Sequence, residues 1–330
     1  MRGLTFKRTL EMLPNVGRRW FSYRPGRRKS SLRGPGAIQV QTVDRCNGAC
    51  IMCPYSTAAH VGPMRRMDER LYLRILEQAR KAGATRALIP MLQNEPLLDR
   101  DLGKRVQQAK IVLGPSTRVP VVTNGSLLTP ARADELIGHG ADHFEVSIDA
   151  CRRETYETIR PGLDFGKVIE HTQALIRHQR RPGVIARFLR QRANEGEERE
   201  FVRYWRSRGA QTRVMGVSNR AGEVEGFESL AGSGRKPLTT RARAAMGRFL
   251  PPCALPFISM SVLWDGRVIL CCQDWGPRDV VGDLTKQSVA EVWNGEAMNH
   301  YRHLLYQRRW ERGRVCRDCS VVNGAGAPSD

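Results

Sequence analysis

Short segments rich in β-branched residues alternate, over residues 37–217, with longer segments whose apolar residues recur at helical spacing. This alternation constrains the fold more than any other feature, because strands that alternate with helices form a parallel sheet with right-handed crossovers. The predicted strands are 37–43, 86–90, 118–122, 144–148, 184–189 and 212–217, and the predicted helices are 68–82, 99–113, 130–139, 154–180 and 196–209. A complete eight-unit barrel takes about 250 residues, so six units predict an α/β fold with a partial (β/α)6 TIM-like barrel.

The pattern changes on both sides of this region. A turn signal, Trp264-Asp265-Gly266-Arg267, lies between two short apolar runs and predicts a β-hairpin, and a helix is predicted near 287–307. The chain is therefore divided into a basic N-terminal arm at 1–36, the barrel at 37–219, a linker or lid at 220–250, a small hairpin-plus-helix domain at 251–320 and a flexible tail at 321–330.

The chain is strongly basic, with 54 Lys and Arg against 33 Asp and Glu and a formal net charge of +21. Such an excess attracts phosphates, nucleic acid, acidic proteins or anionic lipid. Basic residues interrupt every apolar run in the arm, which excludes a secretory signal, and no run approaches the ~20 residues of a membrane span. We therefore predict a cytoplasmic protein, in which the nine cysteines are reduced and clustered thiols indicate metal or redox chemistry.

Three cysteines, Cys46, Cys50 and Cys53, directly follow the first predicted strand. Functional residues of parallel α/β barrels lie at the carboxyl ends of the strands, so this loop is expected to open onto the active face. Three thiolates can bind one face of a cuboidal iron–sulfur cluster and leave the fourth iron without a protein ligand. A structural zinc ion prefers four closed ligands, which makes zinc less suited to this triplet.

The spacing Cys-x3-Cys-x2-Cys after a first barrel strand resembles the signature of the radical S-adenosylmethionine (radical SAM) superfamily. The resemblance implies a 4Fe–4S cluster whose open iron binds the amino and carboxylate groups of SAM. It also implies that an electron from the cluster cleaves SAM to a deoxyadenosyl radical, which takes a hydrogen atom from the substrate. One departure is Met52, where the family often has an aromatic residue.

Later strand ends carry further similarities to the family. Gln93-Asn94-Glu95-Pro96 resembles the segment that holds the SAM ammonium, although both glycines of that segment are replaced here. Thr123-Asn124-Gly125 resembles a turn near the methionyl and ribose groups, and a guanidinium fork at the fifth strand suits a carboxylate. Ser147-Ile148-Asp149, at the end of the fourth strand, resembles the family's ribose-contacting residues. The implied SAM contacts are Glu95, Asn124, Ser147, Asp149 and Arg187.

A second cysteine group lies near the C-terminus. Cys253, Cys271, Cys316 and Cys319 resemble the twitch domain, a shortened form of the SPASM domain of some radical SAM enzymes. The resemblance implies that these four residues ligate one auxiliary 4Fe–4S cluster. A zinc ribbon stays open as an alternative, because Cys271-Cys272 offers a different ligand, although such ribbons use two close cysteine pairs.

Two cysteines remain, Cys151 and Cys272. Each is either a small buried apolar residue or a thiol that returns a hydrogen atom to a substrate radical. We treat both as candidate catalytic residues, because either lies close in sequence to a predicted site.

The resemblance extends to twitch-bearing deoxy-scyllo-inosamine dehydrogenases and aminoglycoside epimerases. It implies an oxidoreductase of antibiotic biosynthesis that oxidises or epimerises a carbon of an aminocyclitol or sugar. The basic surface is expected to dock an acidic flavodoxin or ferredoxin that supplies electrons. An anionic small molecule also fits the basic charge of the chain. Modification of a ribosomally made peptide is the alternative, although the 45 residues before Cys46 are expected to be too few for a leader-binding domain. A metal-containing nucleic-acid-binding protein is a lower alternative, since aromatic residues make up only 7% of the chain.

Overall fold

The computed structural model describes Tyr23 and residues 33–56, 62–232 and 252–323. Most of the predicted N-terminal arm, residues 233–250 of the predicted linker or lid and residues 324–330 of the predicted tail lie outside this part of the chain. Within it, no helix is both long enough and apolar enough to cross a membrane.

The strands fall close to their predicted positions. They are β1 (Ala37–Val40), β2 (Ala87–Ile89), β3 (Val121–Thr123), β4 (His143–Ser147), β5 (Gly183–Arg190), β6 (Gln211–Gly216), β7 (Ser259–Val262), β8 (Arg267–Ile269) and β9 (Val280–Asp283). The helices are α1 (Glu69–Ala82), α2 (Leu102–Leu113), α3 (Pro130–Gly138), α4 (Arg153–Ile159), α5 (Phe165–Arg177), α6 (Glu198–Ser207), α7 (Phe227–Leu230), α8 (Leu255–Ile258), α9 (Val289–Asn294), α10 (Glu296–Tyr306), α11 (Arg314–Arg317) and α12 (Ser320–Asn323).

The six strands β1 to β6 run parallel in chain order. One sheet contains β3-β4-β5-β6, and β1 pairs with β2 in a second sheet. The Leu88 amide donates to the Arg118 carbonyl at 2.9 Å, which links β2 to the segment before β3. The predicted α/β fold with a partial six-unit barrel is therefore confirmed, and the carboxyl ends of its strands meet on one face.

The small C-terminal region continues the barrel sheet. Strand β7 pairs in parallel with β1, from Ala37 opposite Ser259 to Val40 opposite Val262, and β8 and β9 follow in antiparallel order. One buried apolar core extends through both regions, and Tyr23 packs edge-on against Phe257 with ring centroids 5.5 Å apart. The hairpin thus extends the open edge of the barrel next to β1.

Two predicted helices are each divided in the structure. The segment predicted at 154–180 forms α4 and α5, because Pro161 disfavours helical backbone at Arg160 and Gly162 turns the chain with a φ of +82°. The segment predicted at 287–307 forms α9 and α10, which meet at Gly295. The break after α4 brings Arg160 to the mouth of the barrel, where it contacts the first cysteine group.

Candidate functional site

The first cysteine group lies in the loop after β1, which docks on the break between α4 and α5. The Ala49 amide donates to the Pro161 carbonyl at 3.3 Å, and the Ile51 amide donates to the Ile159 carbonyl at 3.1 Å. These two bonds fix the loop on either side of Arg160. The loop therefore depends on contacts with residues more than a hundred positions away.

The three thiols of this loop lie close enough to affect one another. Burial raises the pKa of Cys46 to about 12, and negative charge on Glu95, Cys50 and Cys53 adds to the rise. Burial also raises the pKa of Cys53, while the Arg160 guanidinium opposes that rise. A cation bound to all three sulfurs would remove this cost, because metal binding favours the thiolate form.

Glu95 lies beside this group and is almost fully buried, with 2% of its surface exposed. Its carboxylate accepts hydrogen bonds from the Thr123 hydroxyl at 2.6 Å, the Asn124 backbone N–H at 2.8 Å and the Leu97 backbone N–H at 3.1 Å. Burial raises the pKa of Glu95, and these three donors oppose the rise. These bonds attach Glu95, in the segment after β2, to the end of β3, within electrostatic range of Cys46.

Asn124 joins the turn after β3 to the first cysteine group. Its side-chain NH2 group donates to the side-chain oxygen of Asn47 at 2.9 Å, and its own side-chain oxygen accepts from the Ser126 hydroxyl at 2.7 Å. Gly125 has a φ of +80°, and a Cβ there would lie 2.8 Å from a methyl group of Val146. Sequence reasoning missed Asn47, which stands between the first two cysteines of the triplet.

Ser147 ends β4, and Asp149 follows it with left-handed backbone at a φ of +68°. The Asp149 carboxylate is fully buried, accepting from the Arg160 guanidinium at 2.5 and 3.1 Å and from the Leu189 amide at 2.7 Å. The contact of Ser147 and Asp149 with a ribose stays a prediction. Among the described residues, the Asp149 carboxylate accepts from Arg160 and Leu189, which indicates that it positions Arg160.

Arg187, on β5, is a cation with a poorly placed partner. Its Nε atom is buried without a hydrogen-bond acceptor among the described residues and lies 3.8 Å from the Glu145 carboxylate. Glu145 instead accepts from Arg213 at 2.6 and 2.7 Å. Burial lowers the pKa of Arg187 because the charged form is desolvated. This arrangement suits an incoming anion, as the predicted SAM carboxylate contact requires.

The second cysteine group forms another set of neighbouring thiols. Burial raises the pKa of Cys316, and negative charge on Cys253 and Cys319 adds to the rise. Burial likewise raises the pKa of Cys271, with contributions from Cys272, Cys253 and Cys316. The structure therefore brings together cysteines separated by more than sixty residues in the sequence.

Hydrogen bonds hold the second group against the mouth of the barrel. The Gln93 side chain, after β2, donates to the Asp274 carbonyl at 2.9 Å. After β6, the Asn219 side chain donates to the Asp318 backbone carbonyl at 2.7 Å. The Asn219 backbone N–H donates to the Ser320 hydroxyl at 2.9 Å. Asp318 lies between Cys316 and Cys319, so the loop that carries these thiols is attached directly to the end of β6.

Arg220, the residue after Asn219, acts electrostatically on a thiol of each cysteine group. Burial raises the pKa of Cys53 and of Cys319, and the Arg220 guanidinium opposes the rise at both thiols. Arg220 has a φ of +50°, an uncommon conformation for a residue with a long side chain. Its Nε is buried without an acceptor among the described residues. Sequence reasoning missed Arg220, and its position next to Asn219 at a strand end was the available signal.

The two candidate hydrogen-atom donors lie in different surroundings. Cys272 packs with Leu92, Leu263 and Ile269 and affects the pKa of Cys319, so it borders the second cysteine group. The Cys151 thiol instead donates to the Glu197 carbonyl at 3.6 Å. Burial and the nearby Glu200 and Glu197 carboxylates raise the pKa of Cys151 to about 12. These surroundings favour Cys272 over Cys151 as a residue of the cleft.

The thiol groups fit iron–sulfur clusters better than single ions. In the part of the chain that the structure describes, no group of three or more His, Cys, Asp or Glu residues is arranged to hold one metal ion. Four sulfurs around zinc lie about 3.8 Å apart, given a Zn–S distance of about 2.3 Å and tetrahedral geometry. A cuboidal cluster separates its cysteine ligands further, since iron and sulfide ions lie between them. The all-cysteine donor set suits such clusters.

Comparison with known families matches two regions of the chain. Residues 40–202 match the radical SAM superfamily, and residues 253–320 match the iron–sulfur cluster-binding domain SPASM. The chain is 22% identical over 286 residues to the S-adenosyl-L-methionine-dependent 2-deoxy-scyllo-inosamine dehydrogenase of Niallia circulans, covering 87% of this chain and 93% of that protein. It is 30% identical over 195 residues to a probable GTP 3',8-cyclase of Methanocella arvoryzae, covering 59% of each.

Solved structures show the same fold. The crystal structure of BtrN in complex with AdoMet and 2-DOIA has a TM-score of 0.60 at 20% identity and covers 86% of this chain and 92% of that one. Streptococcus suis SuiB bound to precursor peptide SuiA has a TM-score of 0.64 at 12% identity, covering 88% of this chain and 70% of SuiB. The two matched domains, joined in this order on this fold, identify the chain as a radical SAM superfamily enzyme that uses SAM and a 4Fe–4S cluster in its barrel and carries auxiliary iron–sulfur chemistry in a C-terminal SPASM domain.

Proposed function

We propose that this enzyme removes a hydrogen atom from a hydroxyl-bearing carbon of a small molecule and oxidises or epimerises that carbon. The observation that carries the proposal is the position of Arg220, whose charge acts on one thiol of each cysteine group. Because one guanidinium acts electrostatically on both groups, a substrate in the cleft would lie close to both. The resemblance over nearly the whole length of a 2-deoxy-scyllo-inosamine dehydrogenase supports the same reaction class.

In this proposal the first cysteine group holds the SAM-binding cluster, and the second holds the auxiliary cluster. Cys46, Cys50 and Cys53 serve the first cluster, and Cys253, Cys271, Cys316 and Cys319 serve the second. When bound, the first cluster and SAM supply the group that abstracts hydrogen. Glu95 would accept the SAM ammonium, because its carboxylate is already oriented by three donors.

The arginines of the cleft favour a substrate or cofactor with negative charge. Arg187 and Arg220 each have a buried Nε without an acceptor among the described residues, and Arg220 disfavours the charged form of Arg187. A carboxylate of SAM on Arg187 would leave Arg220 for the substrate. A hydroxyl, carboxylate or phosphate oxygen can accept from Arg220, so the substrate class is a hydroxylated small molecule that is neutral or anionic.

Oxidation and epimerisation make different demands on the protein. Oxidation removes one hydrogen atom, one proton and one electron from the substrate, and the second cysteine group is the proposed exit for the electron. Epimerisation needs a hydrogen atom returned from the opposite face. Cys272 is the better placed candidate donor, because it borders the second group at the mouth of the barrel.

The test begins with anaerobic reconstitution using iron and sulfide. The protein should gain about seven to eight irons, as two 4Fe–4S clusters require. With SAM and a reductant it should release 5′-deoxyadenosine. Cys50→Ala should abolish this release, whereas Cys319→Ala should retain a measurable part of it while losing substrate turnover. Release that is insensitive to Cys50→Ala would refute the proposal.

A panel of aminocyclitols and their phosphates then separates the two reactions. Oxidation lowers the product mass by two hydrogens, whereas epimerisation in D2O leaves one deuterium on the product. Cys272→Ala should stop deuterium incorporation in the second case only. If no member of the panel increases 5′-deoxyadenosine release, the small-molecule assignment is wrong.

A peptide substrate is the second candidate. The structural similarity to SuiB bound to its precursor peptide favours it, since the TM-score of 0.64 exceeds that of the BtrN complex. Stimulation of SAM cleavage by an acidic synthetic peptide, and by no cyclitol, would select this alternative.

A further inference from the structure

We propose that Arg160 is a positioning residue that secures the first cysteine loop and raises the reduction potential of the cluster bound there, through an N–H···S hydrogen bond to Cys50. This inference rests on the proposed function, because it takes Cys50 as a cluster ligand. It concerns an arginine that no sequence motif indicated.

The position of Arg160 is defined by the backbone around it. Ile159 ends α4, and Pro161 prevents the helix from continuing. The carbonyls of Ile159 and Pro161, on either side of Arg160, accept from the amides of Ile51 and Ala49. The Arg160 side chain therefore belongs to the same short segment whose carbonyls bind the cysteine loop. Its Nη1 donates to the Cys50 Sγ at 3.4 Å.

Asp149 fixes the other side of the guanidinium. Its carboxylate accepts from Nη2 at 2.5 Å and from Nε at 3.1 Å, while the Leu189 amide occupies the second oxygen at 2.7 Å. The Asn194 side chain also donates to the Asp149 carbonyl at 2.7 Å. Asp149 adopts left-handed backbone, which aspartate tolerates better than most residues with a side chain. With Nε and Nη2 bound to Asp149, Nη1 is aimed at the sulfur.

The chemical consequence follows from the charge on the cluster. Reduction by a low-potential one-electron donor adds one negative charge, which is shared with the cysteine sulfurs. A buried guanidinium that donates to one of these sulfurs stabilises the reduced form more than the oxidised form, so it raises the potential. Arg160 is nearly free of solvent, with 6% of its side chain exposed, so water screens this effect little.

The experiment measures the potential of the first cluster in the reconstituted enzyme by EPR-monitored redox titration. SAM perturbs the EPR signal of the cluster that binds it, so the SAM-sensitive part of the signal reports the first cluster. Arg160→Lys keeps a positive charge near Asp149 but lacks the fork that reaches two partners. At a fixed solution potential, the ratio of reduced to oxidised cluster should fall about tenfold, which corresponds to 59 mV for one electron.

Two further variants keep the test decisive. The double variant Asp149→Asn with Arg160→Met removes both charges, so no isolated ion is left buried in the folded protein. It should lower the ratio of reduced to oxidised cluster at least as much as Arg160→Lys does. Arg153→Met, at the start of α4, removes an arginine that pairs with Glu157 at the surface and should leave the ratio unchanged. Equal potentials in wild type and both Arg160 variants overturn the inference. Absence of a SAM-sensitive signal in wild type would instead refute the proposed function.

Discussion

Replacing Asp149 by asparagine tests how strongly the barrel depends on one buried ion pair. Asparagine has nearly the same size and also tolerates left-handed backbone, so the change removes a charge without adding strain. The Asp149 side chain is 0% exposed and that of Arg160 is 6% exposed, so water cannot replace the lost partner. Removing one member of such a pair lowers the free energy of unfolding by about 3–5 kcal/mol.

The assay is urea unfolding under anaerobic, reducing conditions, followed by circular dichroism. With a slope of about 3 kcal/mol per molar urea, the midpoint should fall by about 1 M or more. Asp142→Asn is the matched control, because Asp142 pairs with Lys110 at 2.9 Å but is 53% exposed. That pair contributes at most about 1 kcal/mol. Equal midpoints for the two variants would show that the Asp149–Arg160 pair does not stabilise the fold.

Three further predictions each concern a single residue. Glu95→Gln should weaken SAM binding to the reconstituted enzyme by about tenfold or more in equilibrium dialysis, because a neutral amide replaces the charged carboxylate that would accept the SAM ammonium. Glu69→Gln, at the surface, is the control and should leave SAM binding unchanged. The pKa of Cys151 is raised from the usual 9.0 to about 12, so the reactive thiolate is scarce at pH 8. Iodoacetamide should therefore leave Cys151 unmodified in the folded protein, as measured by mass spectrometry. Rapid labelling of Cys151 would contradict this prediction. Gly125→Ala should lower the free energy of unfolding by about 1–3 kcal/mol, because the new methyl group would lie 2.8 Å from Val146 and the backbone φ is +80°. An unchanged urea midpoint would contradict this prediction.

Local patterns predicted the elements that depend on neighbouring residues. The strands of the barrel agree with their predicted positions because β-branched runs and helical periodicity are properties of short segments. The cysteine triplet also predicted the radical SAM superfamily correctly, because its three thiols lie within eight residues of one another. Both predictions required only that near neighbours in sequence are near neighbours in space.

The predicted helix bounds were wrong at internal breaks, and several contacts of the site depend on distant segments. The helix predicted at 154–180 is divided because Pro161 and Gly162 end α4, although the apolar periodicity continues through the break. Asp149 was assigned to a ribose from its place in a strand-end motif, a role that stays a prediction. Its hydrogen bonds to Arg160 depend on the packing of α4 against β4 and β5, which no local pattern describes.

The amino-acid sequence by itself determined that this chain forms alternating strands and helices and that two sets of thiols are available for iron–sulfur clusters. The tertiary structure decided how those sets are related: parallel pairing of β7 with β1 and hydrogen bonds from Gln93 and Asn219 bring the second set over the mouth of the barrel. It also decided that Arg160 and Arg220 lie beside the thiols. Sequence patterns are short-ranged, whereas the charges that govern redox chemistry act through space and depend on which segments are buried together.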